Sequence, residues 1–573
     1  MSQKNNLHSS SSPYLQQHKN NPVFWQQWSK EILNLAKENK KPILLSVGYA
    51  TCHWCHVMAH ESFEDLETSK IMNSNFINIK VDREERPDID FIFQSSFQLF
   101  NQTGGGWPLT MFLDENGVPF SGGTYFPKVP QHGLPSFKEV LKKVSEVYAT
   151  QREKIIKQDQ LVIKNLTLRK SSVVNQDLIP LIDATLTNLD PINGGYLGAP
   201  KFPTYNLFDA LLYFFNKTKN EKYLKPIEII TQKLCSEGIY DHVEGGIARY
   251  TVDDKWLIPH FEKMLYDNVQ FVYLISKYLK IKKNNYFEKK MMETITFLNE
   301  NFLDKGTKLL GSAYDADSEG EEGKYYVFSY DEIKDIKNIN DYFDIKPQGN
   351  WEGKIILREI KVASDFIKSE LKKIRSKKKK PLFDNKIQLD LNCFWISALL
   401  SVYSVSKNQK ILEKAENYYM YLNKNYSEEK LFHCDKKDVV FLEDYAYYVQ
   451  MLLDFYDATM NISYKIKADK ICNDTTKLFF DEEKKIFQKN LIENNDLFMR
   501  PVDIGDNTIP NGNSIMLLNY TRLGKMVDAK KLAESLSGYL NLYKNFMISS
   551  IKSLDFFKEV KEGKNCNSEG CSI

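Results

Sequence analysis

The feature that most limits the fold of this chain is a short apolar run, Pro42-Ile43-Leu44-Leu45-Ser46-Val47, which stops at Gly48 and leads directly to Cys52-His53-Trp54-Cys55. A run of this kind fits a strand buried on both faces of a sheet. If a helix follows, cysteines at i and i+3 share one of its turns. Apolar spacing around this pair predicts a helix over 28–38 through Trp28, Ile32, Leu35 and Ala36, a helix over 52–63, a strand over 76–81 and a strand over 109–113. Ser12-Pro13 and Asn21-Pro22, before Trp28, carry turn and extended signals. Glu115-Asn116-Gly117 predicts a hairpin turn into Val118-Pro119-Phe120.

In this order the elements make a βαβ unit joined to a hairpin, which is thioredoxin topology. From 151 to 174 the chain turns polar and charged, as expected of a connecting helix or linker, and beyond it strand signals thin out. Helical spacing returns over 178–189, 206–215, 223–235, 261–279, 286–302, 389–405, 442–459 and 514–523. The loops between are glycine-rich, aromatic and acidic: Gly194-Gly195-Tyr196, Glu244-Gly245-Gly246, Tyr314-Asp315-Ala316-Asp317 and Asn511-Gly512-Asn513. Paired helices joined by such loops predict an α/α toroid with its loops at one rim, although no strict repeat is visible. The expected organisation is multidomain, α/β plus all-α: a thioredoxin-like domain with an N-terminal extension over 1–150, a connection over 151–175, the toroid over 176–560 and a flexible tail over 561–573.

Composition narrows the function. The chain has 573 residues, too many for one core, and a formal net charge of only +2, so nucleic acid is a poor partner. The basic stretch 372–380, which contains Arg375, reads as a solvated loop. Eight scattered cysteines and a polar start without an apolar leader point to a reducing, cytoplasmic setting. The longest apolar stretches, such as 394–405, fall short of the roughly 18 to 20 residues that span a bilayer, so no membrane anchor is expected. No motif encodes an oligomeric state.

The double cysteine is the clearest chemical signal. At the start of a helix, free backbone N–H groups and the dipole favour a thiolate at Cys52, while Cys55, one turn on, is placed to resolve a mixed disulfide. The dipole supplies only about 0.3 to 1 kcal/mol. His53 is the nearest group able to add to it. Trp107-Pro108 offers a cis peptide opposite the cysteines, with backbone groups free to pair with an extended substrate, and Trp54 and Trp107 are the expected client contacts. Such a dithiol needs no cofactor. The same residues admit other readings: zinc or copper on Cys52, Cys55, His56 and His60, haem attachment at Cys52-x-x-Cys55-His56, or an inert scaffold.

The helical part holds a second concentration of polar groups. Between 241 and 268 lie His242, Glu244, Arg249, Tyr250, Asp253, Asp254, Trp256, His260, Glu262 and Asp267, and further acids follow at Asp315, Asp317, Glu443 and Asp444. Paired carboxylates would suit glycoside hydrolysis and two histidines would suit epimerisation, with Trp256 and Tyr250 stacking on a sugar ring. Helix capping and core hydrogen bonding explain the same residues without a ligand. The leading expectation is a thiol-disulfide oxidoreductase or redox sensor acting on a protein thiol client. The alternatives are a carbohydrate-active enzyme with a sugar ligand, regulated by the thioredoxin module, and a non-catalytic interaction protein. Cys566 and Cys571 sit in the polar tail, and Cys235, Cys393, Cys434 and Cys472 read as inert core thiols.

Several strings are specific enough to identify a family. Ser12-Pro13-Tyr14-Leu15, Cys52-His53-Trp54-Cys55-His56-Val57-Met58, Val81-Asp82-Arg83-Glu84-Glu85-Arg86-Pro87-Asp88, Gly105-Gly106-Trp107-Pro108 and Gly122-Gly123-Thr124-Tyr125-Phe126-Pro127 closely resemble the spermatogenesis-associated thioredoxin-like family. Ala199-Pro200-Lys201-Phe202-Pro203, the run from Pro259 through Asn268, and Asp315-Ala316-Asp317-Ser318 extend the likeness into the helical part. The resemblance implies a thioredoxin fold followed by an (α/α)6 six-hairpin toroid similar to those of glycosidases and N-acylglucosamine 2-epimerases. Leu391-Asn392-Cys393 departs from the family's usual Trp-Asn-Gly.

Overall fold

The computed structural model describes residues 4–131, 133–168, 177–426, 430–434, 439–493 and 496–563, and the backbone of 566, 567, 570 and 571. It divides into two compact units: 1–169 with 436–441 and 488–502, and the remainder.

In the first unit Ser12 accepts from Leu15 N and opens α1 (Pro13–Gln17), so part of the extension expected to be turn and extended chain is helical. Ser29 caps α2 (Lys30–Asn39), which ends at Lys40 with a left-handed φ of 50°. There follow β1 (Ile43–Gly48), α3 (His53–Met58), α4 (Leu66–Asn75), β2 (Ile77–Asp82), α5 (Pro87–Asn101), β3 (Leu109–Leu113), β4 (Pro119–Gly123), α6 (Phe137–Thr150) and α7 (Arg152–Leu166). The sheet order is β2-β1-β3-β4. β1 runs parallel to β2, pairing Ile43 with Ile77, and antiparallel to β3, pairing Val47 with Leu109. This is the thioredoxin arrangement. Every residue of β1 is buried, and Ile43, Leu45 and Val47 pack with Ile79, Val81, Ile89, Phe93 and Met111. That is why its sequence shows continuous apolarity rather than alternation.

The polar stretch after 150 is α7, which packs on α5 and β4 within the same unit, and residues 169–176 lie outside the described residues. The unit also takes in 488–502 from far down the chain. Arg86 forks onto Asp88 at 2.8 and 2.7 Å and reaches Asp496 at 2.8 Å, while Asn490 donates to Asp88 at 2.9 Å. Burial works against the Asp88 charge, but Arg86 outweighs it and holds the carboxyl below its usual range.

The second unit begins with α8 (Ile179–Leu186), α9 (Tyr205–Thr218), α10 (Glu221–Ser236), α11 (Leu265–Ile281) and α12 (Asn285–Phe297). An insertion carries α13 (Tyr330–Ile333) and α14 (Asp365–Arg375). Then come α15 (Leu389–Ser406), α16 (Gln409–Asn425), α17 (Leu442–Thr459), α18 (Ile462–Phe479), α19 (Gly512–Arg522), α20 (Met526–Tyr543) and α21 (Ile548–Lys561). Helices α9, α11, α15, α17, α19 and α21 each pack on the next, and α21 returns to α9, closing an inner ring. Each has an outer partner: α10, α12, α16, α18, α20 and, for α21, α8. Six hairpins closed in this way are an (α/α) toroid.

A recurring turn leads from an outer helix back toward the ring. Asp190, Asp241, Asp304 and Asp481 each accept from the backbone N–H groups two and three residues on. Each also accepts on its own carbonyl from the residue four on. That fourth residue, Gly194, Gly245, Lys308 or Lys485, has positive φ in every copy.

Two sequence expectations change here. The basic stretch 372–380 is not simply a solvated loop, because its first part is the end of α14 and Arg375 is buried against Asp241 at 2.7 Å. A composition count cannot reveal that one cation of the run faces inward. The apolar stretch near 394–405 belongs to α15, an 18-residue helix apolar enough to cross a membrane by composition. Its 78% burial, between α11 and α17, accounts for that apolarity. The backbone of Cys566–Asn567 pairs with Gly570–Cys571, while the side chains of Cys566 and Cys571 lie outside the described residues.

Candidate functional site

β1 delivers the chain at Gly48 to a loop, and Cys52 becomes the N-cap of α3 with extended backbone. Its Sγ accepts from Cys55 N at 3.2 Å, an amide of the first turn that the sulfur shares with Cys52 O at 3.0 Å. Cys52 and Cys55 are joined in a disulfide with Cα atoms 5.2 Å apart. Cys52 is 3% exposed and Cys55 is buried, whereas Trp54 between them is 51% exposed and lies 5.2 Å, ring to ring, from Tyr125. His53 is half-buried beside the Trp54 ring at 5.7 Å.

The other wall is set by β3. Because Val47 pairs with Leu109, Pro108 falls at the register position beside Gly48, at the end of the sheet from which the cysteines emerge. The Trp107-Pro108 peptide is cis. Trp107 is fixed from two sides: Nε1 donates to Asp90 at 2.8 Å, and the Arg83 guanidinium lies 4.0 Å over the ring. Burial pushes the Asp90 carboxyl up, against the pull of Arg83. Of the residues weighed as zinc or copper ligands, Cys52 and Cys55 are bonded to each other, and His60 pairs with Glu64 at 3.2 Å on an exposed surface.

Two residues of this site were given no role by the sequence, although Tyr14 stands in the Ser12-Pro13-Tyr14-Leu15 string. Lys80 of β2 is buried with Nζ 3.0 Å from Ser46 Oγ and 4.4 to 5.1 Å from the rings of Phe63, Tyr14 and Trp25. Burial pushes its ammonium pKa far down. Tyr14 closes the same corner from α1 and is fully buried. Alternation along β2 hints at Lys80, and the Ser12 cap and the family string around it hint at Tyr14.

In the second unit the expected polar groups separate into several settings. His242 is enclosed, with Nε2 3.1 Å from Glu237 O and Nδ1 3.2 Å from Lys290 Nζ. Burial first, then Lys290, pushes its pKa down to about 3. The adjoining cavity, lined by Asp241, His242, Lys263, Tyr326 and Arg375, measures about 30 Å³, room for about two waters. Glu244 accepts from Tyr325 at 3.1 Å. Trp256 is fully buried with Nε1 donating to Asn193 O at 2.9 Å, so its ring is not presented for stacking.

His260 stands elsewhere, near the N-terminal end of α11. Its Nδ1 meets Glu322 at 2.8 Å, Nε2 is 3.9 Å from Glu262, and its ring lies 4.8 Å from Tyr250. Burial opposes the imidazolium, but Glu322 and Glu262 outweigh it and raise the pKa. Arg249 pairs with the fully buried Glu262 at 3.2 Å. Asp267, on the first turn of α11, is pushed well up by burial, and its Oδ2 has no partner. Asp315 is buried and accepts from Asp317 N at 3.1 Å.

Sequence reasoning missed one cluster. Asp390 on the first turn of α15, Asp444 at the start of α17 and His433 before it are all buried, with candidate ligand atoms within 4.8 Å of one another. His433 Nδ1 lies 2.8 Å from Asp444 Oδ1. Burial raises the Asp390 pKa. In the sequence Asp444 stands only among the further acids after 268, and neither His433 nor Asp390 lies in a recognisable motif.

Fold and site together define a thioredoxin-like dithiol protein with a C-terminal helical toroid. A DsbH-type thioredoxin family model, described as a protein of unknown function, DUF255, matches residues 4–167. The chain is 30% identical to spermatogenesis-associated protein 20 of Mus musculus over 91% of its length and 75% of that protein, and it belongs to that family. It is also 30% identical to the uncharacterized protein B0495.5 of Caenorhabditis elegans, over 93% of this chain and 82% of that one. Among solved structures, cellobiose 2-epimerase from Spirochaeta thermophila aligns with a TM-score of 0.43 and 11% identity, covering 66% of this chain and 94% of that one.

Proposed function

We propose that the first unit carries out thiol-disulfide exchange, with Cys52 as the sulfur a client attacks and Cys55 as the leaving and resolving sulfur. The observation that carries this reading is the placement of Cys52 Sγ at the N-cap of α3, bonded to Cys55 and accepting its backbone N–H. That amide and the helix dipole favour negative charge on sulfur in the reduced state. The exposed Trp54 and the backbone at Pro108 form the surface along which an extended thiol client lies. The reaction belongs to a reducing, cytoplasmic setting, in keeping with Cys235, Cys393, Cys434 and Cys472 as buried thiols outside any disulfide.

Alkylation of the reduced protein across pH, read at Cys52 by peptide mass, tests this. The expected midpoint lies below the ordinary thiol value of about 8.5. A midpoint at or above that value, with no exchange between the disulfide and a small dithiol, overturns it.

A second reading concerns the toroid. The buried Asp390, His433 and Asp444 set, at or near the N-terminal ends of α15 and α17, brings an imidazole within 4.8 Å of two carboxylates, the residue types that general acid-base chemistry on a sugar uses. Asp390→Asn is expected to abolish epimerisation of a reducing sugar if the reading is right. A wild-type protein inert toward a panel of mono- and disaccharides removes it.

A further inference from the structure

Gly48 lets two side chains meet behind the disulfide. A Cβ there would stand 2.3 Å from Tyr14 Oη and 2.7 Å from Cys55 Sγ, so hydroxyl and sulfur are no further apart than the sum of the two, 5.0 Å. Tyr14 is fully buried and its hydroxyl has no hydrogen-bond partner. Such unpaired groups are rare in folded proteins. The ring is held firmly. Its helix opens at Ser12, whose Oγ donates to Asp82 at 2.6 Å, and it packs edge-on against His18 at 5.0 Å. The Lys80 ammonium lies 5.0 Å from its centroid. Burial, and then the Asp82 charge, push the phenol pKa well up, so the hydroxyl keeps its proton as a donor.

We propose that the Tyr14 hydroxyl is the hydrogen-bond donor that receives the Cys55 sulfur when the Cys52–Cys55 bond opens. This rests on the exchange reading above. A client thiolate forms a bond to Cys52 Sγ, the Cys52–Cys55 bond breaks, and its electron pair stays on Cys55 Sγ as a thiolate. Tyr14 keeps its proton and donates a hydrogen bond to that anion. A second client thiolate then attacks the client sulfur and releases Cys52 as a thiolate. The client dithiol is oxidised by two electrons and the protein disulfide is reduced. In the disulfide the sulfur is held outside hydrogen-bond geometry, and the hydroxyl waits unpaired. The ionisable groups around this corner are Tyr14 of α1, His18 just past its end, Lys80 and Asp82 of β2, and His56 of the cysteine helix.

The test reads the ionisation of Cys55 in the full chain. Thiolate absorbance near 240 nm is titrated in Cys52→Ser, and a Cys52→Ser/Cys55→Ser reference is subtracted to remove the other thiols and the tyrosines. The same pair is then measured with Tyr14→Phe. Loss of a hydrogen bond to a charged sulfur is expected to raise the Cys55 pKa by about 1 to 2 units. The Tm of the oxidised Tyr14→Phe protein is expected to be unchanged or higher, because no bond is lost there. An unaltered Cys55 pKa overturns the proposal, and a fall in oxidised Tm without a pKa change assigns Tyr14 to packing alone. Failure of the exchange reading shows separately, in a wild-type Cys52 that titrates as an ordinary thiol.

Discussion

Asn392 grips Leu310 by both backbone groups: Oδ1 accepts from Leu310 N at 2.9 Å and Nδ2 donates to Leu310 O at 3.0 Å. The same double bond recurs between Asn268 and Ile247 and between Asn513 and Phe487. In each case an asparagine near the start of an inner helix docks the stretch of chain that follows an outer helix. The ring is thereby tied to its rim by side-chain amides.

Asn392→Ala leaves a buried N–H and a buried C=O unpaired, each costing about 1 to 3 kcal/mol. A loss of roughly 2 to 4 kcal/mol in the unfolding transition of the helical unit is expected in denaturant titrations. A change under about 0.5 kcal/mol would mean that water replaces the amide without penalty.

How far these features were readable depends on whether their cause is local. The buried run before Gly48, the cysteine pair and the Trp107-Pro108 peptide are local, and the thioredoxin order followed from them. Inner helices such as α15, buried all round, announced themselves by apolarity. Outer helices such as α16 and α18 carry lysines and acids among their apolar positions and passed unnoticed. The aspartate turn escaped because insertions of different length separate its copies, which hides the period. Trp256 shows the opposite limit. An indole among glycines and acids has the composition of a sugar platform, yet only its bond to Asn193 shows that the ring faces inward.

Arg375 and Lys263, both buried, share Asp241 at 2.7 and 2.6 Å, and the Asp241 side chain itself is only 6% exposed. Removing one partner of a buried ion pair costs about 3 to 5 kcal/mol. Arg375→Met is therefore expected to destabilise the helical unit by an amount of that order, whereas Lys372→Ala, on the exposed side of the same helix, should stay within about 0.5 kcal/mol. Equal effects from the two would remove the distinction drawn between members of the basic stretch.

His18 and His242 are both buried with lowered pKa values, by burial first and by Lys80 and Lys290 next. A lowered folded-state value means that the unfolded chain takes the proton first. Stability is thus full above the unfolded value of about 6.5 and is lost as pH falls below it. Each histidine should cost about 1.4 kcal/mol one unit below that value. Unfolding free energies at pH 7.5 and 5.5 check this, and His242→Gln should flatten the slope of the helical unit. A wild-type stability that rises toward pH 5.5 would contradict the assignment of neutral, buried rings.

Trp54 exposes half of its surface beside a cysteine pair that is itself covered. Trp54→Ala should leave the unfolding free energy within about 0.5 kcal/mol, while raising the KM for a peptide dithiol more than it lowers kcat. A variant with unchanged KM would mean that clients reach Cys52 from another side.

Gly48 carries no side chain at the place where α1 and the cysteine helix converge on β1. A methyl there would press on Tyr14 Oη at 2.3 Å and Cys55 Sγ at 2.7 Å, both well inside normal contact. Neither neighbour is a freely moving chain end: the sulfur is bonded to Cys52, and the phenol is wedged by His18 and Lys80. Gly48→Ala should therefore destabilise the first unit by about 1 to 3 kcal/mol, the usual cost of overfilling a packed site. Reduction of the disulfide relaxes one of the two obstacles, so the penalty is expected to be smaller in the reduced protein. The disulfide of the variant should then be reduced more readily than that of the wild type, which equilibration with a dithiol buffer measures. Equal destabilisation of both redox forms would place the strain on Tyr14 alone and separate the packing of this corner from its sulfur chemistry.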